Sequence, residues 1–242
     1  MSISLFRNIL CWLYLHEYEN IAIRLVLNFP NREVIMEDIL SKGKLFVISG
    51  PSGAGKGTII KELLSQIEDV KLSISATTRN PRHGEIDGVN YYFVGIDEFQ
   101  HMIDDGEFLE YARVYENFYG TPKDKVLRQL DEGYDVILEI DIQGAMNVKK
   151  AFPKAVFIFI LPPSMTELRR RITGRGSETK EVIDLRMSKA LGELSYMAQY
   201  DYCVVNGEVQ EAVNRVKSII IAEHSKVSTD IEAILNSFEN EN

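Results

Sequence analysis

Residues 44–67 read KLFVISGPSGAGKGTIIKELLSQI, which joins an apolar strand-like run, a glycine-rich loop and a helix-like stretch without interruption. Glycines let the loop backbone reach positive φ and bring its N–H groups close to an anion. Lys56 adds a point charge for the outer phosphates, and the helix that follows presents the positive end of its dipole. This order predicts a site for a nucleoside triphosphate, formed by Gly50, Pro51, Ser52, Gly53, Ala54, Gly55, Lys56, Gly57 and Thr58.

The position after Lys56 departs from the usual pattern of such a loop. A Ser or Thr there supplies a hydroxyl to Mg²⁺, whereas this chain has Gly57 and places Thr58 one residue later. The loop therefore predicts a nucleotide site but leaves the protein ligand of the metal open, with Thr58 as one candidate.

The composition favours a single α/β domain that carries insertions. A chain of 242 residues can bury a full core, and 27 Lys and Arg against 36 Asp and Glu give a net charge of -9. This acidic balance argues against a nucleic-acid partner, because phosphate backbones attract a basic face. Cys11 and Cys203 lie far apart and form no metal-binding spacing, which suits the reducing cytoplasm.

The first 35 residues differ in composition from the rest of the chain. Their apolar runs, 9–15 and 21–27, are broken by charged residues and are too short to cross a bilayer, so no membrane partner is expected. A signal peptide is disfavoured because no small-residue cleavage site follows the apolar patch. We interpret residues 1–42 as an N-terminal extension, with Met36 as a candidate for the true initiator.

Strand-like and helix-like segments alternate through the remaining chain, which predicts a three-layer α/β fold with a central parallel sheet and helices on both faces. Ser164 is expected to cap one of the helices. A small α+β insertion is predicted as a strand, a helix and a strand at 91–94, 96–103 and 107–115. The other predicted strands are 44–49, 70–75, 134–141, 155–161 and 202–205, and the other predicted helices are 59–67, 126–133, 165–172, 179–200 and 208–225.

A basic loop inside this insertion suits an isolated phosphate group. Arg79 and Arg82 are three residues apart around Pro81, so both guanidinium groups can point to one side of a stiff loop. Tyr91 and Tyr119 could add phenolic donors to the same phosphate. A solvated basic loop is the alternative, because exposed arginines are ordinary.

Glu110 lies in the apolar setting Phe108-Leu109-Glu110-Tyr111, where a carboxylate needs a partner. Guanine offers two adjacent donors, N1–H and N2–H₂, whereas adenine presents an acceptor at N1 and would be rejected. A structural ion pair with a nearby arginine is the alternative.

Acids and a second basic segment complete the candidate chemistry. Glu139 and Asp141 close an apolar strand, and Asp141 could hold a water of Mg²⁺ opposite the phosphate loop, unless these acids only form a turn. Arg175 and Arg186 flank a glycine-bearing segment that could swing over the phosphates and stabilise a phosphoryl group in flight. A salt bridge on a helix surface is the alternative for Arg186.

Residues 43–222 closely resemble the guanylate kinase family, whose members convert GMP and ATP to GDP and ADP. The resemblance is carried by GPSGAGK at 50–56, TTRNPR at 77–82, FLEY at 108–111, NFYGT at 117–121, IDIQG at 140–144 and GRG at 174–176. Together these motifs are far more specific than the phosphate loop alone.

The resemblance implies a P-loop NTPase fold, a role for each candidate residue, and Mg²⁺ as cofactor with ATP as phosphoryl donor. It implies a core of 43–72, 126–173 and 184–225, a GMP-binding insertion at 73–125 and a lid at 174–183. A cytoplasmic enzyme, as a monomer or homo-oligomer that also accepts dGMP, is expected. The implied catalytic residues are Lys56, Arg79, Arg175 and Arg186; Ser75, Arg79, Arg82, Tyr91, Glu110, Tyr119, Thr121 and Glu139 would bind GMP, and Arg175 and Asn206 would join the loop at ATP.

Three other classes remain as alternatives. Gly-Lys-Gly-Thr also resembles the adenylate kinase loop, and Glu110 with Ser75 is the feature that favours GMP over another nucleoside monophosphate. A guanylate-kinase-like module that binds phosphorylated peptides would generally lack the working phosphate loop present here. A regulatory GTPase is disfavoured because the chain carries a monophosphate-binding insertion instead of guanine-reading loops near its C-terminal strands.

Overall fold

A five-stranded parallel sheet forms the centre of the computed structural model, which describes residues 43–114, 116–174 and 180–226. The strand order is β2-β7-β1-β8-β9, so the strand before the phosphate loop is the middle one. Long apolar runs form these strands because both faces of the sheet are covered. Their bounds are Leu45–Ser49 for β1, Val70–Leu72 for β2, Asp135–Glu139 for β7, Val156–Leu161 for β8 and Tyr202–Val205 for β9.

Alternate side chains of β1 pack into two hydrophobic cores, one on each face of the sheet. This arrangement confirms the predicted fold of three layers, with helices on both faces of the sheet. Phe46 and Ile48 pack on one face with α1 (Lys56–Leu64) and α7 (Val209–His224). Leu45 and Val47 pack on the other face with α3 (Lys123–Asp131) and α4 (Ile142–Ala151). Because side chains alternate along a strand, one apolar run serves both helix layers.

The insertion forms a second, four-stranded sheet in the order β4-β3-β6-β5. Its strands are β3 (Ala76–Thr77), β4 (Tyr92–Phe93), β5 (Phe108–Val114) and β6 (Asn117–Pro122). Helix α2 (Ile96–Asp104) covers it through Phe99, whose ring stacks on Phe108 at 4.5 Å between centroids. This sheet carries most of the residues predicted to bind GMP.

Two helices after β8 share a small core of their own. Helix α5 (Met165–Thr173) and helix α6 (Lys180–Leu194) meet through Leu168, Ile172, Met187 and Ala190. The Oγ of Ser164 accepts the N–H of Glu167 at 3.1 Å, which confirms the predicted helix cap. In the part of the chain that is described, no helix is long and apolar enough to cross a membrane.

The structure corrects several element predictions. Strand β6 was not predicted, because Gly120 and Pro122 are poor strand formers; it exists because it pairs with both β3 and β5. Helix α4 was also missed, since the glycine at 144 obscures its start. The strand predicted at 70–75 ends at Leu72, and the helix predicted at 179–200 ends at Leu194, before a 3₁₀ helix at Ser195–Gln199. The predictions for residues 1–42 lie outside the described residues.

Candidate active site

The glycine-rich loop connects β1 to α1 and curls around its own lysine. Gly50 has φ 145° and Gly55, the residue before α1, has φ 93°, a region that L side chains rarely adopt. The Nζ of Lys56 donates to the carbonyl oxygens of Gly50 at 2.6 Å and Pro51 at 3.2 Å. A phosphate that enters the loop would compete for this ammonium group.

A cavity of about 340 Å³ lies beside Lys56 and brings together most of the residues predicted for GMP. It is lined on one side by the insertion and on the other by the carboxyl end of β7. Ser75, Tyr91, Glu110, Tyr119, Glu139 and Asp141 all line it, together with Leu72, Ser73, Asn90, Ala112, Val114 and Ile140, which were not predicted. A cleft at the carboxyl ends of parallel strands is the usual ligand site of an open α/β sheet.

Glu110 is the buried carboxyl group of this cavity, with only 7% of its surface exposed. The hydroxyl of Thr121 donates to its Oε1 at 2.8 Å. Burial raises the pKa of Glu110 to about 7, against the opposing effect of the Thr121 hydrogen bond, and the charge of Asp141 raises it further. Its hydrogen-bond partner in the structure is thus a threonine hydroxyl, and not the arginine of the alternative interpretation.

Gly144 in the first turn of α4 lies directly against Glu110. A Cβ at this position would lie 2.9 Å from Glu110 Oε2, closer than real Cβ contacts. The absence of a side chain at residue 144 therefore lets the carboxyl group reach its place in the cavity.

Glu139 and Asp141 take different roles at the end of β7. Burial raises the pKa of Glu139, and the positive charge of Lys56 opposes that shift. A Cβ on Gly57 would lie 3.4 Å from Glu139 Oε1, so this carboxylate lies beside the position of the absent Ser or Thr. The Oδ1 of Asp141 accepts the N–H of Gly144 at 2.7 Å and thereby caps α4, which makes Asp141 a turn former as well as a cavity residue.

Neither of the two predicted phosphate-binding arginines is among the lining residues of the first cavity. The guanidinium of Arg79 lies 5.4 Å from the centre of the Tyr91 ring and is paired with Glu85. Arg82 is exposed and contributes its backbone N–H to the same Glu85 carboxylate. Sequence reasoning missed Glu85, although its spacing of three residues from Arg82 was a readable signal.

A second cavity of about 730 Å³ also touches the phosphate loop, through Gly55 and Thr58. Asn206, only 2% exposed, lines it and donates from Nδ2 to the carbonyl oxygen of Ala54 at 2.8 Å. Arg171 donates to the carbonyl oxygen of Asn206 at 3.0 Å and to that of Ala54 at 3.3 Å. Arg171 was not predicted, and it joins the loop to the end of β9.

The remaining predicted residues are not brought together at one place. Thr58 lines the second cavity and Asp141 the first, so the two metal candidates lie in different cavities. Arg186 is half-buried on α6 and lines neither cavity. Arg175 lies outside the described residues.

The phosphate loop follows the central strand, and each of the two cavities is lined by at least one residue of this loop. This arrangement is typical of the class of P-loop nucleotide kinases. Comparison with known proteins narrows the class. The Guanylate kinase family model matches residues 42–223. The chain belongs to the guanylate kinase family.

Individual relatives agree with this assignment. A guanylate kinase of Caldanaerobacter subterraneus subsp. tengcongensis is 56% identical over 197 residues, which cover 81% of this chain and 96% of the relative. A guanylate kinase of Clostridioides difficile is 51% identical over 84% of this chain and 98% of its own length. A crystal structure of guanylate kinase from Anaplasma phagocytophilum superposes with a TM-score of 0.65 at 37% identity, covering 77% of this chain and 89% of that one.

Proposed function

We propose that this chain transfers the γ-phosphoryl group of ATP to GMP and so produces GDP and ADP. The observation that carries the proposal is the buried Glu110 carboxyl group in the same cavity as Lys56 of the phosphate loop. A guanine reader and a triphosphate binder that share one cavity are what the transfer between these two nucleotides requires.

Glu110 would select the base. An ionised carboxylate can accept both N1–H and N2–H₂ of guanine, whereas adenine would place a lone pair against it. The Thr121 hydroxyl, already 2.8 Å from Oε1, would hold the carboxylate in that orientation, and Ser75 would add a polar group at the cavity wall. Leaving a buried carboxylate unpaired is costly, so AMP should be rejected strongly.

Arg79, Arg82, Tyr91 and Tyr119 would hold the phosphate of GMP. Tyr91 and Tyr119 line the cavity and lie edge to face, with 6.0 Å between ring centres. The Arg79 guanidinium lies against the Tyr91 ring, so a phosphate bound at the two hydroxyl groups would be within its field. The second sheet carries these groups, which supports 73–125 as the GMP-binding unit.

The phosphate loop would hold ATP, with Lys56 moving from its own loop carbonyls to the outer phosphates. Asn206 in the second cavity would lie near adenine. Arg175 and Arg186 would close over the transferred group and balance its charge. Residues 174–183 would form the lid that brings them there.

The transfer needs no general base from the protein. The second pKa of a phosphate monoester is about 6, so GMP is largely dianionic at neutral pH and is already a nucleophile. The protein must hold two polyanions in line and offset their repulsion, which is the role of Lys56, Arg79, Arg175 and Arg186. Closure would also exclude water that could otherwise hydrolyse ATP.

The residues around the loop fit the Mg²⁺ that nucleotide kinases use, because they offer hydroxyl and carboxylate oxygens. Thr58 and Asp141 line different cavities beside the loop, so they would hold it from two sides, directly or through water. Asp141 would use Oδ2, which accepts no hydrogen bond from the described residues, while Oδ1 caps α4. When bound, Mg²⁺ neutralises phosphate charge. The cytoplasm, where ATP and GMP are both available, is the proposed compartment, and dGMP is the proposed second acceptor.

The test is ADP formation in a coupled assay with ATP and Mg²⁺ fixed and GMP, dGMP, AMP, CMP, UMP or dTMP supplied singly. Turnover with GMP, and more weakly with dGMP, is expected. Faster turnover with AMP would refute the guanine role of Glu110. Binding of ATP without turnover of any monophosphate would favour the peptide-binding module instead.

A further inference from the structure

The guanidinium of Arg79 is held by a carboxylate that the function proposed above does not use. Its Nη1 donates to Glu85 Oε2 and its Nη2 donates to Glu85 Oε1, both at 2.9 Å. Nη1 also donates to the carbonyl oxygen of Asn80 at 2.7 Å. Glu85 therefore takes the end-on edge of the arginine in a two-point ion pair, which is stronger than a single hydrogen bond between neutral groups.

The same carboxylate fixes the backbone of the loop that carries both arginines. Glu85 Oε2 accepts the backbone N–H of Arg82 at 2.7 Å. The backbone N–H of Glu85 in turn donates to the carbonyl oxygen of Arg82 at 3.0 Å. The Glu85 side chain thus binds the guanidinium group of Arg79 and the backbone N–H of Arg82.

Arg79 needs such a partner because its charge is largely removed from solvent. Its side chain is only 13% exposed, and the guanidinium lies 5.4 Å from the Tyr91 ring centre and 5.8 Å from that of Phe93. The hydrogen bonds to Arg79 and to the Arg82 N–H lower the pKa of Glu85, so the carboxylate is ionised at neutral pH. The pair keeps an aromatic-lined cation in place before any ligand binds.

The ion pair leaves one edge of the guanidinium unused. An arginine has five N–H donors, and Glu85 and Asn80 accept from three of them. Nε is buried and has no hydrogen-bond partner in the described part of the chain. Nε and Nη2 form the second two-point edge of the group, and a buried donor without an acceptor is a cost that a ligand can relieve.

We propose that Glu85 is a positioning residue for the acceptor phosphate: it holds the end-on edge of Arg79 and the backbone of Arg82, so that the Nε–Nη2 edge of Arg79 is set to receive the phosphate of the nucleoside monophosphate. This inference rests on the proposed function, because it assumes GMP in the cavity. Glu85 does not touch the reacting atoms, and its effect passes through Arg79 and Arg82.

The test compares GMP with guanosine, which has the base and ribose but no phosphate. Glu85→Gln keeps the shape and removes the charge, so GMP affinity and 1/KM for GMP should fall about tenfold or more, the loss of one charged two-point pair. The dissociation constant of guanosine by calorimetry and the KM for ATP should stay within about twofold, since neither ligand uses the arginine pair. Glu107→Gln, an exposed glutamate of the same insertion, is the matched control and should leave all four quantities unchanged.

Two results would overturn the proposal. Tighter GMP binding by Glu85→Gln would mean that the carboxylate competes with the phosphate for Arg79. Equal losses for GMP and guanosine would mean a general effect on the insertion. If Glu85→Gln does not fold, Glu85→Asp, whose carboxylate is one methylene shorter, should show the same selective loss for GMP at about threefold. Failure of the unaltered protein to bind either ligand would instead contradict the proposed function itself.

Discussion

Glu110 shows how one side chain's surroundings determine what it can recognise. Its carboxyl group is buried beside Thr121 and Gly144, and burial places its pKa near the middle of the neutral range, at about 7. The protonated form has one donor and the ionised form has only acceptors. Only the ionised form matches the two donors of guanine, so the proposed recognition of the base by Glu110 would depend on pH.

Guanosine binding should therefore strengthen as pH rises from 6 to 8. The folded-state pKa of Glu110 is raised to about 7, so the carboxyl is mostly protonated at pH 6 and mostly ionised at pH 8. The dissociation constant should fall about tenfold over this interval, because one pH unit below the pKa costs a factor of about ten. Calorimetry with guanosine measures this without the titrating phosphate of GMP. An affinity that is flat from pH 6 to 8 would contradict the prediction.

Gly57 occupies the position after Lys56, where phosphate loops usually have a Ser or Thr. Its position beside Glu139 Oε1 leaves room for a Cβ at 3.4 Å, an ordinary contact, and its φ does not require glycine. Gly57→Ser should add a hydroxyl beside the proposed Mg²⁺ site and lower the Mg²⁺ concentration for half-maximal activity by about threefold. Gly57→Ala provides the control without a hydroxyl. Identical Mg²⁺ titrations for the two variants would rule out the effect.

At the scale of elements, the residues that begin α4 both cap the helix and contact the buried Glu110 carboxyl group. Asp141 caps the helix through the N–H of Gly144, and Gly144 is the residue that lies against Glu110. The helix therefore cannot be capped or shifted without moving the wall of the cavity. This connection explains why a glycine occurs in a helix, where it normally costs about 1 kcal/mol relative to alanine.

Gly144→Ala should weaken GMP binding even though alanine favours helices. The new Cβ would lie 2.9 Å from Glu110 Oε2 and would displace the carboxyl group from Thr121. The KM for GMP should rise about tenfold, the effect of losing one hydrogen bond to a charged group, while the KM for ATP is unchanged. Gly192→Ala in α6 is the control, because a Cβ there meets no atom within 4 Å. Equal kinetics for both variants would show that Glu110 has room to move.

At the scale of the molecule, the last described helix, α7, is attached to the central sheet by polar groups that line neither of the two cavities described above. The carboxylate of Glu223, 4% exposed, accepts from the hydroxyl of Tyr202 on β9 and pairs with Lys226 at 2.5 Å. One residue on, His224 contacts Asp135 at the start of β7 at 2.8 Å. These contacts connect the C-terminal end of α7 to two strands of the central sheet.

Glu223→Ala should lower the stability of the fold without altering the site. Removing a buried carboxylate leaves the Tyr202 hydroxyl and Lys226 without their partner, which should cost about 2 kcal/mol in the free energy of unfolding. Urea denaturation measures this, and the KM for GMP should not change. Ser218→Ala, exposed on the same helix, should stay within about 0.5 kcal/mol. A Glu223→Ala variant as stable as the parent would show that these contacts contribute nothing.

The sequence by itself was sufficient for the features that are local in the chain. The strand, phosphate loop and helix at 44–67 are contiguous. The spacing of their apolar residues and the positions of their glycines therefore predict the backbone conformation of each part. The Ser164 cap was predictable for the same reason, since its partner is three residues away. The contrast between Glu110 and its apolar neighbours marked it as a candidate that needs a polar partner, and its role as base reader stays a prediction.

Only the tertiary structure decided how distant segments meet. Strand β6 exists because two other strands pair with it, and Asn206 reaches Ala54 across 152 residues. The placement of Glu85 on Arg79 and of Gly144 beside Glu110 likewise follows from packing. Pairing and packing depend on the relative positions of whole elements. The pattern of residues along the chain does not report the distance between two side chains that are far apart in sequence. The sequence therefore predicted the family and the candidate residues, and the tertiary structure decided which of those residues share a cavity.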